Sequence, residues 1–137
     1  MGVDLGLCSV APRGPGEPGC DWCGAWLNTR QKRWCGELCI SHFRRNHVWK
    51  FARVVALNRD AGCTRCSGVV DLEVNHIVPL AGQERTESCL HHLSNLEVLC
   101  HSCHVVETAA QRERGDLPAS WGNNLRRSEA VEKNLNK

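Results

Sequence analysis

The sequence predicts a small α+β protein held together by metal, and three observations carry that expectation. Two separate sets of four cysteines have zinc-compatible spacing: Cys20, Cys23, Cys35 and Cys39, then Cys63, Cys66, Cys100 and Cys103. A β-branched run over residues 69–78 and a short apolar run at Leu96–Leu99 read as two strands, with an amphipathic helix behind them. The third is a thin core. Of 137 residues 42% are apolar, but ten of those are Cys and only seven are aromatic: five Trp, two Phe and no Tyr. Chains of this size with few large side chains commonly add metals or disulfides to the core.

The length fits one domain, or one with a minor appendage. No N-terminal segment combines a charged start, an apolar stretch and a small-residue cleavage site, and no apolar run is long enough to span a bilayer. Gly6 stands where a myristoylation signal needs Ser or Thr. The expectation is an intracellular protein without membrane association, in which paired C-x2-C units bind metal instead of forming disulfides. The net charge of +2 conceals an asymmetry. Residues 30–59 hold eight Arg and Lys against Glu37 alone, whereas residues 60–106 hold two Arg against six acids. A basic block beside an acidic, metal-rich segment suits a phosphate-gripping face next to a reaction centre, and equally a solvated helix face.

In chain order, residues 1–19 are rich in Gly and Pro and read as a flexible tail, with Cys8 unpaired in it. Residues 20–39 form the first four-cysteine knuckle. Gly24 and Gly36 follow cysteines there, where a turn needs relaxed backbone geometry. Four thiolates leave no open coordination position, so this zinc is structural. His42 and His47 are alternative ligands for one Cys, or else helix-surface or core histidines. Trp22, Trp26 and Trp34 are expected to support the knuckle, and Trp49 the following helix.

From about Leu38 to Arg59 the pattern is helical: Ile40, Phe43, His47, Phe51, Val54 and Asn58 fall at three- and four-residue steps. The arginines and lysines fall mainly between them. Residues 40–60 therefore read as a basic connecting helix, ending near Gly62. The strand-like run ends at Pro79, and a polar loop over 80–94 carries Cys89, Leu90, His91 and His92. A helix from Ser102 or Cys103 to about Arg114 stops at Gly115. Residues 117–137 form a polar C-terminal tail with a short helix near 125–135.

Three runs now stand together: Arg59-Asp60-x2-Cys63-x2-Cys66, Val74-Asn75-His76-Ile77-Val78-Pro79-Leu80, and Asn95-Leu96-x2-Leu99-Cys100-x2-Cys103-His104. Jointly they resemble the zinc-ribbon branch of the HNH endonuclease family, which includes phage and bacterial nucleases. The resemblance implies a ββα-metal core (the HNH, or His-Me, finger) over residues 61–116, preceded by the four-cysteine zinc knuckle and the basic helix. It implies divalent-metal-dependent hydrolysis of DNA phosphodiesters, by nicking or double-strand cleavage. His76 matches the general base, Asn95 the middle position that holds the loop, and His104 the closing ligand of a catalytic Mg²⁺ or similar ion. Cys63, Cys66, Cys100 and Cys103 match its structural zinc. A neutral His suits the role of base because it accepts a proton from water near pH 7.

Asn75 departs from the family pattern, in which Asp usually precedes the base and ligates the metal. A neutral amide oxygen binds a hard cation more weakly than a carboxylate. Glu73, two residues away on the same strand face, is a supplementary candidate ligand, and His91 or His92 are further candidates for the site. Arg44, Arg45, Lys50 and Arg53 are the expected contacts to the nucleic-acid backbone. Two other readings compete: a zinc module that binds nucleic acid without cutting it, and a zinc-stabilised adaptor within a phage packaging or repair assembly.

Overall fold

The computed structural model describes residues 8–14, 18–82 and 86–117. Its elements are helix α1 (Glu37–His47), helix α2 (Trp49–Arg59), strand β1 (Leu72–His76), two single 3₁₀ turns (Cys89–His91 and Leu93–Asn95), strand β2 (Leu96–Cys100) and helix α3 (His101–Glu113). The result is a small α+β fold. The expected short helix at 125–135 and Trp121 lie outside the described residues. No described helix is long and apolar enough to cross a membrane.

β1 and β2 pair antiparallel, with Val74 opposite Val98, Asn75 opposite Glu97 and His76 opposite Leu96. Because side chains alternate along a strand, this register sorts the two faces. Leu72, Val74, Leu96 and Val98 pack against Ala52 and Ala56 of α2 to form one apolar core. Glu73, Asn75 and Glu97 fall on the other parity, towards α3, where His104 meets Glu73. The α3 residues His104, Glu107 and Gln111 recur at three- and four-residue steps, and Glu107 and Gln111 are buried. Glu107 is held by Arg65 at 2.9 Å and Arg114 at 3.0 Å. The Arg65 contact ties the C-x2-C turn to the middle of α3.

The helical pattern over Leu38–Arg59 is realised as two helices with a break at Val48, whose φ of −105° and ψ of 117° are extended. The break has partners. Val48 bridges Glu87, the Ser88 N–H donates to the His47 carbonyl at 2.8 Å, and the Trp49 N–H donates to the Thr86 carbonyl at 3.0 Å. Backbone groups that a continuous helix would use are committed to residues 86–88 instead. The break also re-phases the apolar stripe. Phe51 and Val54, expected to face inward, are 38% and 50% exposed, while Ala52 and Ala56 are fully buried.

A second core forms around Phe43 of α1, with Ala11, Trp22, Trp34, Val48 and Cys8 against it. Part of the expected flexible tail therefore packs: Ala11 is buried, and Cys8 lies beside His47 and His92. Trp26, expected to support the knuckle, is 89% exposed and does not. Of the two knuckle glycines, Gly24 has a left-handed φ of 77° that favours glycine. Gly36 is extended, at φ 178°, and needs no such freedom. Arg33 links this half to the finger, reaching Asp21 at 2.7 Å and Glu87 at 2.5 Å.

Candidate active site and metal centres

Both expected four-cysteine sets assemble, each with its four sulfurs within 4.8 Å of one another. The Cys23–Cys35, Cys35–Cys39 and Cys66–Cys100 sulfur pairs are each 3.6 Å apart. That is far too long for a disulfide and close to the roughly 3.8 Å edge of a tetrahedron with Zn–S bonds of about 2.3 Å. The local fold prepares a thiolate in each set. Burial raises the Cys20 pKa, but backbone N–H groups of Cys23, Trp22 and Cys35 outweigh it and bring the thiol down to about 6. For Cys63, burial acts in the same sense and is outweighed by the N–H groups of Cys100, Cys66 and Arg65, again to about 6. Both sets could hold zinc.

At the end of the strand pair, Asn75, His76 and His104 open onto one cleft of 320 Å³, with Trp49, Pro79, Leu80, Thr108 and Gln111. β1 presents Asn75 and His76 to it, and α3 presents His104 from its first turn, directly after Cys103. The second four-cysteine set thus stands at the start of the helix that delivers His104.

His76 is held from three sides. Its Nε2 lies 2.9 Å from Nδ1 of His91, the Trp49 ring stacks on it with centroids 4.8 Å apart, and Gln111 donates to its carbonyl at 3.0 Å. His91 is fully buried and also packs against Trp49. His91, one of the two candidates in the 89–92 turn, therefore reaches the site. His92 does not; it turns towards His47, 3.0 Å away.

Asn95 does not line the cleft. Its side chain accepts from the Val78 N–H at 2.8 Å and donates to the carbonyls of Val78 at 3.0 Å and Leu90 at 2.8 Å. One amide therefore ties the end of β1 to the turn carrying His91. Its own carbonyl accepts from the Ile77 N–H at 2.9 Å.

Asn75 is 4% exposed and donates through Nδ2 to Glu97 at 2.9 Å. Glu73 lines a separate, shallower hollow with Asp71, Leu72 and His101, and its carboxylate lies 2.5 Å from His104 Nδ1 and 3.2 Å from His101 Nδ1. Burial raises the Glu73 pKa, but these two imidazoles outweigh it and hold the carboxyl below its ordinary value. With Nδ1 of His104 on Glu73, Nε2 is the ring nitrogen presented for a metal, an arrangement in which a carboxylate orients a ligating imidazole.

Of the basic block, Arg33 and Arg59 are engaged internally, Arg59 with Asp60 and with the carbonyls of Leu93 and Leu96. Arg44, Arg45, Lys50 and Arg53 are exposed on α1 and α2, with the Arg44 guanidinium 5.3 Å from the Phe51 ring centroid. Trp49, Gln111 and Glu97 were not singled out from sequence as parts of the site. Trp49, which stacks on His76, is the first residue after the break at Val48, and nothing in the local sequence marks that break.

Neither a curated protein nor a solved structure matches the chain. Residues 63–110 match the family model described as HNH endonuclease, a span that contains both cysteine pairs of the second set, His76, Asn95 and His104. Over those residues, about a third of its length, the chain is therefore similar to the HNH endonuclease family.

Proposed function

We propose that this chain is a divalent-metal-dependent endonuclease that hydrolyses DNA phosphodiester bonds, with His76 as general base. The observation that carries the reading is the single cleft onto which Asn75, His76 and His104 open together. The imidazole of His104 and the amide oxygen of Asn75 fit a divalent ion of mixed nitrogen and oxygen preference, such as Mg²⁺, Mn²⁺ or Ni²⁺. When bound there, the ion supplies charge neutralisation at the scissile phosphate and the departing oxygen. Glu73 acts through His104, fixing its ring, and not as a ligand. The two four-cysteine sets carry structural zinc.

The base needs one orientation and one tautomer. Nε2–H of His76 donating to Nδ1 of His91 leaves Nδ1 of His76 as the nitrogen that takes the proton from water. The same bond stabilises the imidazolium that results. Trp49 fixes the ring plane, and Gln111 and Asn95 hold the backbone from His76 to Val78. Arg44, Arg45, Lys50 and Arg53 grip the phosphate backbone without reading sequence.

A second reading, a nucleic-acid-binding module that no longer cuts, is favoured by one observation: Asn75 is neutral and its amide is tied to Glu97. Plasmid cleavage in Mg²⁺, Mn²⁺, Ni²⁺ and EDTA, with His76→Ala beside the parent, separates the two. Metal-dependent nicking that disappears in His76→Ala supports the nuclease. A folded, zinc-loaded parent that binds DNA but is silent in every metal supports the binding module.

A further inference from the structure

A third cluster of metal-binding side chains lies outside both four-cysteine sets and outside the cleft. Cys8, His47, Cys89 and His92 place one ligand atom each within 4.8 Å of one another. They come from three parts of the chain: the N-terminal segment, the last residue of α1, and the turn between the strands. Two of the contacts span 39 and 84 positions of sequence. We propose that these four residues form a third structural zinc site, of two thiolates and two imidazoles, which clamps the N-terminal segment and the 89–92 turn onto the end of α1.

The atoms point inward as ligands do. His47 Nδ1 lies 3.2 Å from the Phe43 carbonyl, which can only accept, so Nδ1 carries the proton and Nε2 the lone pair. That Nε2 is 3.3 Å from Cys8 Sγ and 3.0 Å from His92 Nε2, and Cys8 Sγ is 3.5 Å from His92 Nε2. A carbonyl behind a ligating imidazole is the usual support that fixes its tautomer. The Ala11 N–H points at Cys8 Sγ at 3.4 Å, as the Cys35 N–H points at Cys20 Sγ at 3.4 Å in the first knuckle.

Burial adds weight. His47 is 0% and His92 is 7% exposed. Converging lone pairs in a dry site are unfavourable unless a cation or a shared proton lies between them. Mixed sulfur and imidazole donors in a closed set of four are the chemistry of structural zinc. Cys89-x2-His92 also has the short spacing of a zinc knuckle, and the turn is capped by Ser88, whose Oγ accepts from the Leu90 N–H at 3.0 Å. His91 lies between these two ligands and touches His76, so the clamp would also hold the partner of the general base.

The test is metal stoichiometry, which does not depend on nuclease activity. Full-length protein purified under reducing conditions is expected to contain three zinc ions per chain, and Cys8→Ser two. Cobalt substitution gives a second readout. The ligand-field band of a site with two sulfurs and two nitrogens lies to the blue of a four-sulfur band, and it should be present in the parent and absent in Cys8→Ser. If Cys8→Ser fails to fold, the parent spectrum alone decides. Two zinc ions in the parent, three retained in Cys8→Ser, or cobalt bands of only the four-sulfur type would each overturn the site.

Discussion

Asn75 and Glu97 face each other across the strand pair, and the amide of the first donates to the carboxylate of the second at 2.9 Å. The partner explains why an amide is tolerated where related sequences are expected to carry Asp. A carboxylate at 75 would meet the Glu97 carboxylate in a site that is 4% exposed at that position. Asn75→Asp is expected to lower stability by about 1–3 kcal/mol, the cost of leaving a buried polar group without its partner. Mn²⁺ should return much of it, and Asn75→Asp with Glu97→Gln should be less destabilised than Asn75→Asp alone. Thermal denaturation with and without metal checks this. Equal melting temperatures for parent and Asn75→Asp without metal would refute it.

His91 is the second residue to probe. If its Nδ1 fixes the tautomer of His76, His91→Ala should slow cleavage by roughly 10–100-fold, as loss of an orienting partner does at comparable sites. DNA affinity should be unchanged and the pH profile of the rate displaced. An unaltered pH profile would leave His91 as packing alone.

Glu73 offers a pH signature. Its carboxyl is held below the ordinary value of 4.5 by His104 and His101. A depressed acid contributes stability that is present above its unfolded pKa and lost as pH falls through the folded one. In Glu73→Gln, stability should therefore fall less steeply below pH 4.5 than in the parent. Because Gln orients His104 less firmly, the metal concentration needed for cleavage should rise about 10-fold. Acid titration of the melting temperature and a metal dependence of the rate test the two effects separately.

The exposed cations on α1 and α2 predict a salt slope. Arg44→Glu with Arg45→Glu should weaken DNA binding and reduce the slope of log K against log salt by about 1.8, from two phosphate contacts. A slope identical to that of the parent would move the DNA interface elsewhere.

Much of the site was legible because its signals are local. Each closely spaced cysteine pair is one turn, so spacing alone picks out the residues that assemble into the two four-sulfur sets. The β-branched run and Gly115 mark a strand and a helix end through backbone preference. The strand appeared, though shortened to Leu72–His76, and the helix as His101–Glu113. What was not legible depends on distant partners. Val48 sits in an unbroken helical pattern, and only the pairing of residues 86–88 takes its backbone out of the helix. With that break went the inward face of α2 and the position of Trp49. Cys8 appeared unpaired for the same reason: its neighbours His47 and His92 lie at distances no spacing rule covers.

The break at Val48 also bears on the order in which the chain can fold as it is made. Up to residue 59, local preference favours one straight helix, because nothing yet synthesised competes for the backbone around Val48. The competitor arrives with residues 86–88, which also carry Glu87, the partner of Arg33 54 positions earlier. The N-terminal half therefore acquires its final shape only after the middle of the finger has emerged, and closing contacts of such long range is intrinsically slow. In a peptide of residues 37–59 alone, the ¹³Cα shift of Val48 should be helical, whereas in the full chain it should be extended. An extended Val48 in the peptide would place the bend in the local sequence and free the nascent chain from waiting.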